Sequence, residues 1–390
     1  PPPPLPTRYG HMGDIAEKSE LFTYDWFGPL DNSATDGVLT SKYFTSLPVP
    51  TNRYDTPEHN GFGIVTDSLN ENPSQYVERF SSICGLPTKS ALAGCTELNS
   101  LFSATSYTAF RTQVETRYHA SLHMSVGGAA QCVHSLADAV ADTAQGGPDR
   151  PALYEAIGVL ANTIWRTVEL GDLMRCPKEC EVEEGQTKEE AFDACSCVAP
   201  SVDQWKDDEK YDLAYTELDN FGVVQMLGSL PGTSSYFEYD SDTERYRLSG
   251  ATKDENQNFW KWMIDFSSHP GRLSPYATPL AATNDPIFWV SHAGWGRFWH
   301  YLRLNPKLSE GFHMAWTDPT VATYLDGFTN ESNCEKMLKF DDKLPFKGFT
   351  VDAAKDPGAY AAAERYTNAE LLTLLSPKSP DLPYMYADFD

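Results

Sequence analysis

Residues 284–300 read Asn-Asp-Pro-Ile-Phe-Trp-Val-Ser-His-Ala-Gly-Trp-Gly-Arg-Phe-Trp-His, and no other stretch limits the fold as tightly. Asp285 is a good N-cap and Pro286 suits the first helical position, so a helix starts there. Phe288, Trp289, His292, Trp295 or Gly296, and Trp299 recur at helical spacing, which predicts a largely buried helix. Gly294 and Gly296 would let another element approach closely. His292 then stands on an apolar face. A buried helical histidine is most often a core residue bonded to backbone, so this stretch alone makes no site.

A second stretch changes the weighing. Arg117-Tyr-His-Ala-Ser-Leu-His-Met-Ser-Val-Gly-Gly128 sets His119 and His123 four residues apart and closes on a di-glycine. Residues at i and i+4 share one helix face about one turn apart, so both imidazoles can reach a single ion. Gly127 and Gly128 end that helix. The HxxxH pair is a weak signal alone and a much stronger one beside the later helix.

Together the two stretches resemble the second metal half-site of the type-3 copper proteins: tyrosinases, catechol oxidases and hemocyanins. In that family His-Asn-x-x-His precedes a Gly-Gly, and Asp-Pro-x-Phe-x-x-His-His ends in Asp-Arg-x-Trp. The resemblance places His119 and His123 at the helical pair and His292 at the second His of the doublet. Three positions depart from the pattern: Ala120 stands for the Asn, Ser291 for the first His of the doublet, and Gly296 for the Asp before Arg297. The interval from His123 to His292 is also far longer than the family's, which requires a large insertion. The family's first copper site needs three more histidines, yet only His11 and His59 precede His119, both in Pro/Gly-rich sequence.

The resemblance therefore implies one metal rather than two. A copper pair binds dioxygen by giving one electron from each ion, so a lost half-site removes tyrosinase chemistry. Three imidazoles with an open position are the ligand set of a catalytic zinc site, and Cu2+ binds the same set tightly. Zn2+ is the expected cofactor and Cu2+ the alternative. The pattern is similar to the hemocyanin-like cyclopenases of fungal alkaloid pathways, which keep the second site and lose the first. That similarity implies a non-redox lyase that converts a benzodiazepinedione epoxide (cyclopenin type) to a quinolone (viridicatin type) with loss of methyl isocyanate. Phe288 and Trp295 are the side chains expected to stack on such a small aromatic substrate; no catalytic acid or base is legible. Two other classes stay open: a copper-dependent phenol or catechol oxidase, and a non-catalytic, metal-stabilised binding protein.

The remaining histidines divide by position. His300 is eight residues past His292, about 12 Å along a helix, and so cannot join the same ion. His134 is an open candidate for an extra ligand or proton shuttle. His269 could replace one of the helical pair, since Asp265-x3-His269 mimics the pattern. His11, His59 and His313 lie in loop-like sequence. Glu115, one turn before His119, is either a partner orienting that ring or a solvated surface residue.

Composition narrows the setting. A net charge of −25 argues against nucleic-acid or anionic-membrane partners, which call for basic surface. No apolar run approaches the roughly 18 residues of a membrane span. The opening Pro-Pro-Pro-Pro-Leu-Pro reads as a processed or trimmed N-terminus. Eight cysteines without zinc-knuckle spacing favour disulfides, with two bridges expected among Cys176, Cys180, Cys195 and Cys197 around an acidic loop. With the sequon Asn330-Glu331-Ser332, they point to a secretory, vacuolar or extracellular protein. Oligomeric state is not legible.

The expected fold is mainly α: a tyrosinase/hemocyanin-like helical bundle with long loops and a disulfide-stapled insertion, forming a single domain over residues 1–390. Residues 1–72 should form an extended wrap anchored by Tyr24, Trp26 and Phe27, residues 171–200 the Cys-rich insertion, and residues 376–390 a tail. Helices are expected at 74–83, 92–102, 106–124, 133–144, 152–170, 256–266, 286–304, 318–328 and 368–375, and a hairpin over 236–248. Residues 201–235 show few regular patterns. The metal should lie between the 106–124 and 286–304 helices.

Overall fold

A computed structural model describes residues 19–47, 76–87, 95–142, 150–176, 196–229, 236–278, 281–310 and 366–376, with Gly185, Phe312 and Asp341 besides. The protein is mainly helical. In chain order the helices are α1 (Cys95–Ser100), α2 (Tyr107–Gln113), α3 (Ala120–Gly127), α4 (Leu136–Ala141), α5 (Pro151–Leu170) and α6 (Pro200–Asp203). They continue with α7 (Asp207–Asn220), α8 (Val223–Ser229), α9 (Lys253–Ser268), α10 (Ile287–Leu304), α11 (Pro306–Ser309) and α12 (Asn368–Leu374). The strands are short: β1 (Ala129–Ala130) pairs antiparallel with β4 (Arg272–Leu273), and β2 (Phe237–Asp240) forms a hairpin with β3 (Arg245–Leu248). The chain groups into two units: residues 1–99 with 113–292, and residues 100–112 with 293–390.

Helix α5 is the spine of the first unit. Its stripe of Leu153, Ile157, Leu160, Ile164 and Val168 is buried, as the helical periodicity predicts. Met124 of α3, Leu218 of α7 and the aromatic face of α9 (Phe259, Trp260, Trp262, Phe266) belong to the same core. Buried Trp165 of α5 donates its indole N–H to the Phe266 carbonyl at 2.7 Å, so the ring is packed without leaving a bare polar atom. Helix α9 starts three residues before the expected 256 and ends two residues past 266, and its start is set by a cap. Thr252 accepts from the Glu255 backbone N–H, and the Glu255 carboxylate accepts from Thr252 N–H at 2.7 Å, a reciprocal capping box.

Residues 74–83 are expected to be helical; the described part, 76–83, is instead an extended strap. Its backbone groups find partners in other segments: Leu39 N–H donates to the Val77 carbonyl at 2.8 Å, Val77 N–H to Leu47 at 2.8 Å and Phe80 N–H to Gly127 at 2.7 Å. With those groups satisfied between segments, a helix offers the strap nothing further. Residues 201–235 differ too, since they carry α7 and α8. Helix α7 buries Ala214, Tyr215 and Leu218 beneath an acidic exterior that hides its periodicity.

Of the wrap's three expected anchors only Phe27 packs inward, stacked on Phe44 with centroids 5.7 Å apart; Tyr24 and Trp26 are exposed. Disulfides join Cys84 to Cys132 and Cys176 to Cys197, the second within the expected cluster. Cys180, Cys195, Cys334, the sequon, the 318–328 helix, residues 1–18 and 48–72 of the wrap, and residues 377–390 of the tail lie outside the described residues. Among the described residues no helix is long and apolar enough to cross a membrane.

In the second unit, Phe102, Tyr107 and Phe110 pack on Phe298, Trp299 and Tyr301 of α10, with centroids 5.1–5.8 Å apart. Trp295, expected to stack on a substrate, belongs to this unit and packs against Phe298.

Candidate metal centre

His119 and His123 sit on one helical rod, but the rod is not uniform. Residues Val114–His119 form a π-helical turn in which Ala120 N–H donates to the Glu115 carbonyl, and α3 follows directly. Such turns insert one residue into an α-helix and are frequent at functional sites. His119 is the hinge between the two geometries and His123 lies one α-turn on. Glu115 is exposed on the π-helical turn.

The di-glycine does more than stop the helix. Gly128 has φ +76° and ψ −178°, and a Cβ on it would lie 2.6 Å from the carbonyl oxygens of both Phe80 and Ser82. A Cβ on Gly127 would lie 2.5 Å from the Ala277 nitrogen. The end of α3 therefore presses directly on two other segments, and the β1–β4 pairing fixes the second of them. That pairing leads into the buried turn Pro275–Ala277, where the Tyr276 carbonyl meets His123 Nδ1 at 2.6 Å.

His292 arrives from α10. Asp285 accepts from Ile287 N–H at 3.0 Å and so caps the helix as its sequence predicts. Asp285 also binds Arg79 of the strap through two contacts of 2.6 Å, both side chains having no solvent exposure. The start of α10 is less buried than its apolar sequence suggests: Trp289 is 64% exposed and Val290 is exposed as well. Among the described residues nothing lies within 4 Å of a Cβ on Gly294, so no element uses the close approach expected there.

The three rings converge on their Nε2 atoms. His119 Nε2 is 2.7 Å from His292 Nε2 and 2.9 Å from His123 Nε2. Among the described residues these three form the one group of His, Cys, Asp or Glu side chains close enough to hold a single ion. His269 is elsewhere, its Nε2 3.1 Å from Asp203, and His134 faces Asp265 at 3.9 Å. His300 is not in the group, as its distance along the helix requires. His11, His59 and His313 lie outside the described residues.

Proton placement tests whether these residues fit a metal. A carbonyl oxygen only accepts, so Tyr276 O fixes the proton of His123 on Nδ1 and leaves its Nε2 bare. Phe288 O, 2.9 Å from His292 Nδ1, does the same for His292. His119 can supply one proton at most to the space between the three Nε2 atoms. At least one of the two short N···N contacts therefore sets lone pair against lone pair. Protonation does not relieve this near neutral pH. Burial and then the neighbouring His292 lower His119 to about 4, and burial followed by His119 lowers His123 to about 3. Burial lowers His292 as well. A cation relieves it directly, because three neutral imidazole nitrogens aimed at one point are a metal-ligand set.

Two neighbours complete the surroundings. Phe288 stacks on His292 with centroids 3.7 Å apart and an interplanar angle of 24°. Ser291 bonds to the Tyr276 hydroxyl at 2.8 Å. The Tyr276 phenol is pushed well above its ordinary range by burial and stays protonated. Sequence reading does not find Tyr276, because its contact with His123 is through backbone, which every residue type carries. No protein-family model matches this chain, and no curated protein or solved structure does.

Proposed function

We propose that the protein is a single-metal, non-redox enzyme of the tyrosinase/hemocyanin type, in which His119, His123 and His292 hold Zn2+. The observation that carries this reading is the convergence of three neutral Nε2 atoms with too few protons to satisfy them. When bound, an ion supplies Lewis acidity, polarising a carbonyl or epoxide oxygen or lowering the pKa of water towards ~7. The chain's own part is to keep the donor atoms bare and fixed: backbone carbonyls hold the Nδ1 protons of His123 and His292, and Phe288 holds the His292 ring flat. Trp289, edge-on to Phe288 at 5.3 Å and largely exposed, offers an aromatic face near His292 for a planar substrate.

The substrate class follows from the resemblance: a cyclopenin-type benzodiazepinedione epoxide, rearranged to a viridicatin-type quinolone with loss of methyl isocyanate, which water converts to methylamine and carbon dioxide. Two disulfides fit an oxidising compartment, secretory, vacuolar or extracellular. The test is turnover of cyclopenin by zinc-loaded protein, with quinolone and methylamine quantified by mass spectrometry. Turnover lost on chelation and in His292→Ala supports the proposal. Catechol or tyrosine oxidation by copper-loaded protein, with no cyclopenin turnover, replaces it with the oxidase reading. A His292→Ala protein that loses only thermal stability, with no turnover by the parent, replaces it with the binding-protein reading.

A further inference from the structure

Two of the three histidines are tied to one residue. Tyr276 is fully buried in the turn Pro275–Ala277, where Ser274 Oγ accepts its backbone N–H at 3.0 Å. Its carbonyl takes the Nδ1 proton of His123 on α3. Its hydroxyl reaches the other way, 2.8 Å from Ser291 Oγ on α10. Ser291 Oγ lies 3.0 Å from the Phe288 carbonyl and 3.1 Å from His292 Nδ1. One set of protons satisfies every contact. Tyr276 O–H donates to Ser291, Ser291 O–H donates to Phe288 O, and His292 Nδ1–H is shared between Phe288 O and Ser291 Oγ, which leaves Nε2 bare.

We propose that Tyr276 and Ser291 are a positioning pair that sets the spacing and orientation of His123 and His292, so that metal affinity depends on two hydroxyls that touch no metal. The inference rests on the metal-site reading above. Ser291 thus gives a physical role to the position where the resemblance expects another histidine: a support for the ligand beside it.

The test strips the protein of metal and titrates it with Zn2+ against a chromophoric chelator, then with Co2+ followed by visible absorption. Tyr276→Phe keeps the carbonyl and ring and removes only the hydroxyl. Tyr276→Phe and Ser291→Ala should each weaken Zn2+ binding by about 10- to 100-fold and shift the Co2+ bands, while Ser291→Thr, which keeps the hydroxyl, should stay within about threefold of the parent. Affinity and spectrum unchanged in Tyr276→Phe and Ser291→Ala would overturn the proposal, as would equal losses in Ser291→Ala and Ser291→Thr. If Tyr276→Phe fails to fold by circular dichroism, the two Ser291 variants decide alone. A parent chain that binds neither ion removes the metal site itself, an outcome distinct from a site that binds but ignores the hydroxyls.

Discussion

Replacing Arg79 by Met should destabilise the first unit severely, although Arg79 lies outside the metal-binding group. Its guanidinium and the Asp285 carboxylate form two 2.6 Å contacts with no exposure on either side chain, and Arg79 also donates to the Gly28 carbonyl at 3.1 Å. Attraction and desolvation nearly cancel for an intact buried pair, so the pair as a whole contributes little beyond what apolar residues would. Breaking it is different: Arg79→Met leaves a carboxylate buried without a counter-charge, at a cost of about 3–5 kcal/mol. That is a large share of the roughly 5–15 kcal/mol that holds a typical domain folded. Asp285→Asn should cost a comparable amount by stranding the guanidinium, while its amide oxygen still caps α10. The double variant should then lose far less than the sum, with a coupling of up to about 3 kcal/mol. Urea denaturation of parent, both single variants and the double variant, followed by tryptophan fluorescence, measures all four corners. A loss below about 1 kcal/mol for Arg79→Met, or additive single losses, would refute the reasoning.

Three further predictions bear on the frame around the histidines. Gly128→Ala should cost at least about 2 kcal/mol, because its φ and ψ suit only glycine and its Cβ would meet two carbonyl oxygens; a midpoint unchanged in urea contradicts this. In metal-free protein, His123 stays neutral down to about 3 while the unfolded chain protonates near 6.5. The unfolded state thus binds more protons between those values, and stability falls as pH drops below 6.5, by up to about 1.4 kcal/mol per pH unit for this residue. His123→Gln should flatten the profile between pH 6.5 and 4; a parallel profile counts against it. Zinc loading should raise the parent's melting temperature and leave that of His119→Ala/His292→Ala unchanged, read by differential scanning fluorimetry.

The parts of the site legible in sequence are those set by local periodicity. His119 and His123 share a face because they are four apart, and Asp285 caps because it precedes a helical apolar run. What holds them is carried across long separations. Arg79 and Asp285 are 206 residues apart and His123 and the Tyr276 carbonyl 153, and nothing near either partner announces the other. The strap at 76–83 illustrates the same limit, since its hydrogen bonds to Leu39, Leu47 and Gly127 override its local helical pattern. Helix α7 was within reach, because Tyr211, Ala214, Tyr215 and Leu218 follow helical spacing. Its acidic first turn of Asp207, Asp208 and Glu209, a favourable helix start, reads instead as unpatterned polar sequence.

The central claim is one ion held by three histidines, and the metal content of the purified chain tests it most directly. Acid digestion and mass spectrometry should find about one zinc per chain in the parent and none in His123→Ala. About two coppers per chain, or metal retained after His123→Ala, would contradict it.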